Sequence, residues 1–467
     1  MPTVRTLAVD AFVAEFGAHV DAQAAALFVG AGISRLSGYA SWSELTDRYA
    51  KELDVQIDDL PLLVQYYQDS RSNGVAEVRD DIIKMVRTPG IRPCAAHNRM
   101  LDLPIPDIWT TNWDELIERA AAGRSDQMEV YSEDEDLAES RLGLKRLYKM
   151  HGTVGPAKAS RELVISRDHF EAYPNTHPRF WQLLGANFLT RSFLFLGFSL
   201  TDPNISQIFR LARLYTPAVK RPHYVVFSGV DANQRKRAGL QWPDFARVGV
   251  HVVEVDRHED IATVLERLVA RCRPPRAYVS GSTEAGTPAE EWAHEFADEL
   301  GRLLAAELDV RLMSGGVAGS RVGYVMCQRR HQDKTYHSDD FVVIRRVSGN
   351  LTPPMERWGS MMFDGEEAEF LRSKVFERVR AVLVLGGSDN TRKEIQQAKA
   401  LGLGVIPVGG SGGAAGDQWR ADMADLSALR LGERGVDRAA FEQLGHKDPL
   451  VAAQATVGLL RQALFLA

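Results

Sequence analysis

Two runs of alternation constrain this chain more than any single motif. Short apolar strands separated by helix-length segments recur from Ala26 to about Val255 and start again at Ala277. A strand buried on both faces needs a crossover helix before its parallel neighbour, so such a pattern folds into helix-flanked parallel sheets and into little else. The first run offers strands at Ala26–Gly30, Pro106–Thr111, Lys145–Met150, Ser192–Gly197, His223–Ser228 and His251–Val255. The second offers Ala277–Ser280, Val310–Met313, Phe341–Val347, Ala381–Leu385 and Val405–Val408. Between them, Arg271-Cys272-Arg273-Pro274-Pro275-Arg276 lacks apolar periodicity and breaks any helix, which places a linker over 272–276. The expected fold class is α/β, with two parallel-sheet domains over 1–271 and 277–467, the second smaller. A length of 467 residues agrees, since one hydrophobic core rarely organises so many.

A net charge of −6 supplies no general attraction to phosphate backbones or anionic membranes. The small cluster Arg329, Arg330 and His331 reads as a solvated helix face, so no nucleic-acid partner is expected. Cys94, Cys272 and Cys327 are dispersed and odd in number, which suits a reducing, cytoplasmic setting and cannot furnish a four-cysteine zinc site; no metal is expected. Val9, Phe12, Val13, Phe16 and Val20 follow a helical period rather than the pattern of a secretory signal. The most apolar stretch, Leu183 to Leu200, is interrupted by Asn187, Arg191 and Gly197 and reads as a helix end followed by a buried strand, so no membrane span is expected.

Four segments carry candidate chemistry. Gly30-Ala31-Gly32-Ile33-Ser34 directly follows an apolar strand, where glycines permit positive φ and leave room for a pyrophosphate; a tight turn without a ligand is the plainer alternative. Asn112, within Thr111-Asn112-Trp113-Asp114, has with Glu115 the spacing of a capping box, so a helix cap competes with a catalytic role. His151 ends an apolar stretch, where a lone histidine is commonly structural. Gly197-Phe198-Ser199-Leu200-Thr201-Asp202 closes a further strand, and Asp202 doubles as a cap before Pro203. The carboxyl ends of parallel strands face one crevice, so these segments converge.

Taken together, Gly30-Ala31-Gly32-Ile33-Ser34, Thr111-Asn112-Trp113-Asp114, His151-Gly152 and Gly197-Phe198-Ser199 resemble the NAD-binding core of the sirtuin fold, over roughly Phe12 to Arg271. The resemblance implies NAD+ as substrate, the glycine turn on the pyrophosphate, Asn112 on the nicotinamide ribose or a water, and His151 as general base. It implies cofactor contacts at Gly30, Ala31, Gly32, Ser34, Thr111, Asp114, Gly197, Ser199 and Asp202. A proton acceptor at neutral pH calls for a histidine pKa near neutrality. Two departures separate this chain from lysine deacylases: the missing zinc cysteines, and Gly38-Tyr39-Ala40-Ser41-Trp42-Ser43-Glu44-Leu45 where deacylases carry an aspartate, phenylalanine and arginine run. There Ser41 and Glu44 form a capping box. Both departures resemble a bacterial branch that hydrolyses NAD+; deacylation and noncatalytic nucleotide binding remain the alternatives.

The second run has glycine-rich strand ends at Ser280-Gly281-Ser282, Ser314-Gly315-Gly316, Gly386-Gly387-Ser388 and Gly409 to Gly413, where backbone N–H groups can approach phosphates. The cluster Gly409 to Gly416 reads as a flexible loop. These ends, with Thr391-Arg392-Lys393-Glu394, resemble SLOG domains, which are Rossmann-like binders of nucleotide-derived ligands. The domain order resembles the NAD-hydrolysing effectors of bacterial Thoeris antiphage systems. That likeness implies activation by a cyclic ADP-ribose isomer from a TIR-domain partner, homo-oligomers, and ligand contacts at Gly281, Ser282, Gly315, Gly316, Arg372, Gly386, Gly387 and Glu394. It puts Arg372 on a phosphate and Glu394 on ribose hydroxyls, against the plainer readings of a solvated helix charge and a complement to the helix start near Thr391.

Overall fold

The computed structural model describes residues 5–122, 128–139, 144–155, 159–160, 162–198, 221–228, 236, 249–283, 286–345, 358–363, 375–427, 429–432 and 434–465. The chain divides into two compact units, Met1–Val269 and Ala270–Ala467.

In the first unit the strands are β1 (Thr6–Leu7), β2 (Ala25–Val29), β3 (Asp107–Thr110), β4 (Met128–Tyr131), β5 (Lys145–Lys149), β6 (Ser192–Leu196), β7 (His223–Ser228) and β8 (Val250–Val255). They form one sheet in the order β1-β8-β7-β6-β2-β3-β5-β4, and every pairing is parallel. From β2 the chain builds outward through β3 and β5 on one side and resumes at β6 on the other, so the switch point lies between β2 and β6. All five residues of β2 are buried, and Ala26 and Phe28 enter a core with Trp109, Phe193 and Phe195. The helix Val9–Asp21 covers the sheet with Phe12, Val13, Phe16 and Val20, as the periodicity requires.

Three further helices, Trp42–Leu53, Leu60–Asp69 and Gly74–Val86, pack on a core of their own built from Tyr49, Leu63, Val64, Tyr67, Val78 and Ile82. The first starts where the sequence says: Ser41 Oγ accepts from Glu44 N at 3.1 Å, and Glu44 answers with its carboxylate on Ser41 N.

The second unit orders β9 (Arg276–Ser282), β10 (Arg311–Ser314), β11 (Phe341–Arg345), β12 (Ser360–Phe363), β13 (Ala381–Gly386) and β14 (Gly404–Val408) as β12-β11-β10-β9-β13-β14, again parallel throughout. Period-two alternation sends Ala381, Leu383 and Leu385 into one core and Val382 and Val384 into the other. The α/β class with two parallel sheets is thus as the alternation requires.

Two local expectations fail. The segment Gly409 to Gly416 is no loop: Gly409–Ser411 forms a 3-10 turn and Gly413–Ala424 a helix. Its glycines admit indoles, since a Cβ on Gly409 would lie 2.5 Å from Trp419 and one on Gly410 2.4 Å from Trp292. Nor is Arg330 solvated. It is 1% exposed, with Nη1 2.8 Å from Asp340 and Nη2 donating to the carbonyls of Leu304, Glu307 and Val310 at the end of the helix Pro288–Ala306. A guanidinium with this many fixed acceptors braces the fold and offers nothing to a nucleic acid. Among the described residues no helix is long and apolar enough to cross a membrane.

Candidate active site

Strand register assembles the site. Val29 pairs with Leu196 on one side and Thr110 on the other, and Thr110 pairs with Lys149. The four strands β6, β2, β3 and β5 therefore end in one row, and the residues that follow, Gly197, Gly30, Thr111 and Met150, leave the sheet at a common edge. Backbone bonds carry the row onward: Gly30 N donates to Leu196 O at 2.8 Å and Gly32 N to Gly197 O at 2.7 Å.

The glycines serve a different purpose from the one expected. Gly30 has an extended backbone with φ −108°, and Gly32 lies in the short helix Ala31–Arg35; neither uses positive φ. A Cβ would meet Gly197 O at 2.8 Å from Gly30 and at 2.6 Å from Gly32. Gly197, which does take φ +70°, would clash with Ile33 N at 2.5 Å. Two backbones interlocking at this distance exclude side chains.

Asn112 does not cap a helix. The helix Leu116–Ala121 begins at Glu115 without a side-chain cap, and Asp114 Oδ1 accepts from Leu116 N at 3.0 Å instead. The Asn112 amide is turned to the glycine turn, where Nδ2 donates to Gly30 O at 3.1 Å and to Ser34 Oγ at 2.9 Å. Ser34 Oγ donates onward to Asp114 Oδ2 at 2.7 Å. Gly30 O can only accept, so the amide cannot be flipped and Oδ1 must face away. That oxygen is buried and has no hydrogen-bond partner among the described residues. A buried acceptor left unpaired costs about 1–3 kcal/mol, which marks it as a position awaiting a ligand or water.

His151 lies in the same cleft, with its ring edge-on to Phe170 at a centroid distance of 5.0 Å. Burial lowers its pKa to about 3, and repulsion from His177 adds to the effect. The near-neutral value expected of a general base is therefore absent: among the described residues burial penalises the imidazolium and no acidic partner offsets it. The ring stands neutral, in its proton-accepting form.

The cleft is lined by Ala31, Ser34, Thr111, Asn112, Asp114 and His151 on the side of the strand ends. The helical layer supplies Trp42, Pro61 and Met85 and the segment before it Tyr39, with Trp42 and Trp113 ring to ring at 5.0 Å. Ser199 and Asp202 lie outside the described residues.

Two residues escaped the sequence reading. His258 Nε2 sits 2.8 Å from Gly32 O and its Nδ1 3.0 Å from Ser228 Oγ. Because the carbonyl only accepts, Nε2 carries a hydrogen and donates to it, and with the Ser228 contact the ring ties the ends of β7 and β8 to the turn. Lys149 Nζ is fully buried, donates to Asp114 O and pairs with Glu118 Oε1 at 2.7 Å. A lysine closing a buried strand was the available signal, since such a group is rarely buried without partners.

In the second unit, Gly281, Ser282, Gly316, Gly386 and Gly387 also meet at one edge. Gly281 takes φ +118° with a Cβ position 1.8 Å from Leu385 O, Gly316 approaches Gly281 O, and Gly387 N donates to Ser282 O at 2.7 Å. Gly315 and Gly316 border a broad cleft with His294, Arg321 and Tyr324. Glu394 is tied to Ser280 Oγ, and Arg372 lies outside the described residues.

The SIR2-like domain family matches residues 106–244. A protein of Acinetobacter baumannii named NAD(+) hydrolase ThsA is 28% identical, covering 90% of this chain and 92% of its own length. The protein of that name from Bacillus cereus is 26% identical, with 94% of each chain covered. The one from Enterococcus faecium is 31% identical, covering 68% of this chain and 70% of its own. With that identity across two thirds of a relative, and a parallel-sheet unit carrying the SIR2-like match, the chain belongs to the ThsA family of NAD(+) hydrolases.

Proposed function

We propose that this chain hydrolyses NAD+ to ADP-ribose and nicotinamide, with Asn112 and His151 as the reacting-centre residues. The observation that carries the reading is the Asn112 amide: it is locked by an acceptor-only carbonyl, and its own oxygen is unpaired in a cleft shared with a neutral imidazole. Bond breaking at the nicotinamide N-glycosidic bond develops an oxocarbenium-like ribose, and water then adds at that carbon and loses a proton. Asn112 Oδ1 can fix a ribose hydroxyl or the incoming water, and holding it in place ahead of reaction is where catalytic advantage arises. His151 accepts the proton. A diphosphate entering the cleft would favour the imidazolium and raise its low resting pKa. The aromatic wall of Tyr39, Trp42 and Trp113 suits a flat pyridine and keeps water sparse. The pyridine departs as a neutral base, so the reading calls for no metal.

The test is nicotinamide release from NAD+ without any acylated peptide, followed by chromatography. Asn112→Ala should lower it roughly 10²–10³-fold with an intact melting transition. An Asn112→Ala/His151→Ala variant with full activity would overturn the assignment.

The second unit is read as the sensor. Its converging strand ends at Gly281, Ser282, Gly315, Gly316, Gly386 and Gly387 would receive a cyclic ADP-ribose isomer made by a TIR-domain partner, with Arg372 on a phosphate and Glu394 on ribose. Binding there would switch on NAD+ depletion during antiphage abortive infection in the cytoplasm, within a homo-oligomer. Such coupling requires that the activator prefer the active state. Adding the isomer should raise NAD+ turnover, and Arg372→Ala should abolish that response; an unaltered response would count against the pocket.

A further inference from the structure

We infer that Lys149 is a positioning residue for Asn112, its buried ammonium holding the Asp114 carbonyl and through it the hydrogen-bond chain that aims the amide. This rests on the hydrolase reading of the same cleft.

Asp114 is anchored at both ends. Its carboxylate takes hydrogen bonds from Ser34 Oγ at 2.7 Å and Leu116 N at 3.0 Å, and its carbonyl takes one from Lys149 Nζ. Ser34 is in turn one of two acceptors for Asn112 Nδ2, at 2.9 Å. Release of the carbonyl frees the peptide after Asp114 to rotate, which shifts the carboxylate, loosens Ser34 and leaves the amide on Gly30 O alone. Lys149 is also fixed by strand register, opposite Thr110, whose Oγ1 receives the Asn112 backbone N–H at 3.0 Å. The ammonium closes one strand and the amide follows its neighbour, and a change at one is transmitted to the other over three hydrogen bonds, Lys149 to Asp114, Asp114 to Ser34 and Ser34 to Asn112.

A purely structural ion pair would look similar at first sight, since Lys149 and Glu118 neutralise each other at 2.7 Å. Buried pairs of that kind are commonly replaceable by apolar residues without loss of stability, whereas removing one partner strands the other charge. This separates the two roles. The Glu118 carboxylate pairs with the ammonium and feels the Asp114 carboxylate only by charge repulsion, making no hydrogen bond in the Asn112 chain among the described residues, so the roles of the two partners in activity are unequal.

The test compares Lys149→Met, Glu118→Gln and Lys149→Met/Glu118→Leu in the full chain. It measures kcat and KM for nicotinamide release together with the melting temperature. Positioning predicts that Lys149→Met lowers kcat roughly 10–100-fold with KM within about threefold. Glu118→Gln, which leaves a donor on Asp114 O, should keep kcat within about threefold. In the double variant the melting temperature should recover while kcat stays low. Recovery of kcat together with the melting temperature, or equal losses in Lys149→Met and Glu118→Gln, would overturn the inference and leave the hydrolase reading standing. Wild-type protein that releases no nicotinamide would overturn that reading, and this inference with it.

Discussion

The carboxyl edges of the two sheets share a backbone design and differ in what stands on it. In both, glycines at the switch point let neighbouring strand ends interlock: Gly30 and Gly32 against Gly197 in the first unit, Gly281 against Leu385 and Gly387 against Ser282 in the second. On the first edge the residues after the strands are Asn112, Asp114 and His151, joined by Ser34. On the second, Ser280 and Ser411 spend their hydroxyls on Glu394 and on the Gly386 N–H and Val408 carbonyl. Glycine-rich strand ends therefore report close backbone packing, and chemistry is reported by the polar side chains mounted beside them.

The strongest way to break this comparison is to add a methyl group on each edge. Gly281→Ala sets a Cβ at φ +118° and 1.8 Å from a main-chain oxygen, and Gly32→Ala sets one 2.6 Å from Gly197 O. Each should cost about 3 kcal/mol and lower the calorimetric transition of its own unit. If Gly32 were instead kept small for a pyrophosphate, its alanine variant would lose NAD+ affinity at an unchanged melting temperature.

Acid should sharpen the contrast next. Burial lowers both His151 and His223 to about 3 from the ordinary 6.5, with neighbouring histidines adding to it. Above pH 7 these groups are neutral in both states. As pH falls through 6.5 the unfolded chain takes up protons that the folded first unit refuses, so its stability declines until about pH 3, by roughly 3 kcal/mol per imidazole at pH 4. Melting of the first unit that is insensitive to pH between 7 and 4.5 would contradict the burial of these rings.

The smallest expected effect is on the rate profile. Because kcat/KM follows ionisations of the free enzyme, His151 should impose no inflection on it between pH 5 and 8. An inflection near 6.5 that disappears in His151→Asn would place the resting ring in a far more polar setting.

Much of this was legible because it is local. Short apolar runs at crossover spacing gave the strands to within a residue or two, and Ser41 with Glu44 gave the helix start. The edge strands β1, β4 and β12 were missed: β1 has only two residues, and β4 is only partly buried over Met128, Glu129 and Val130, so neither carries the buried apolar run that marks the inner strands. Asn112 and His151 were visible as polar residues closing apolar strands. What the sequence left open was chemistry with two local solutions: the Asn112 to Glu115 spacing fits a cap, but the Asp114 side chain reaches Leu116 N instead. Arg330 likewise looks solvated until the helix end that it braces is folded beneath it.

The sequence by itself determined the two parallel sheets and the edge on which polar residues emerge, because alternation and chain direction fix both. Only the tertiary structure decided that the helices over 42–86 wall the cleft, that His151 is too buried to hold a proton at neutral pH, and that the Lys149 ammonium meets the Asp114 carbonyl. The physical reason is that periodicity says which face of an element is apolar but not which surface it meets. Desolvation and hydrogen-bond partnership depend on that second surface.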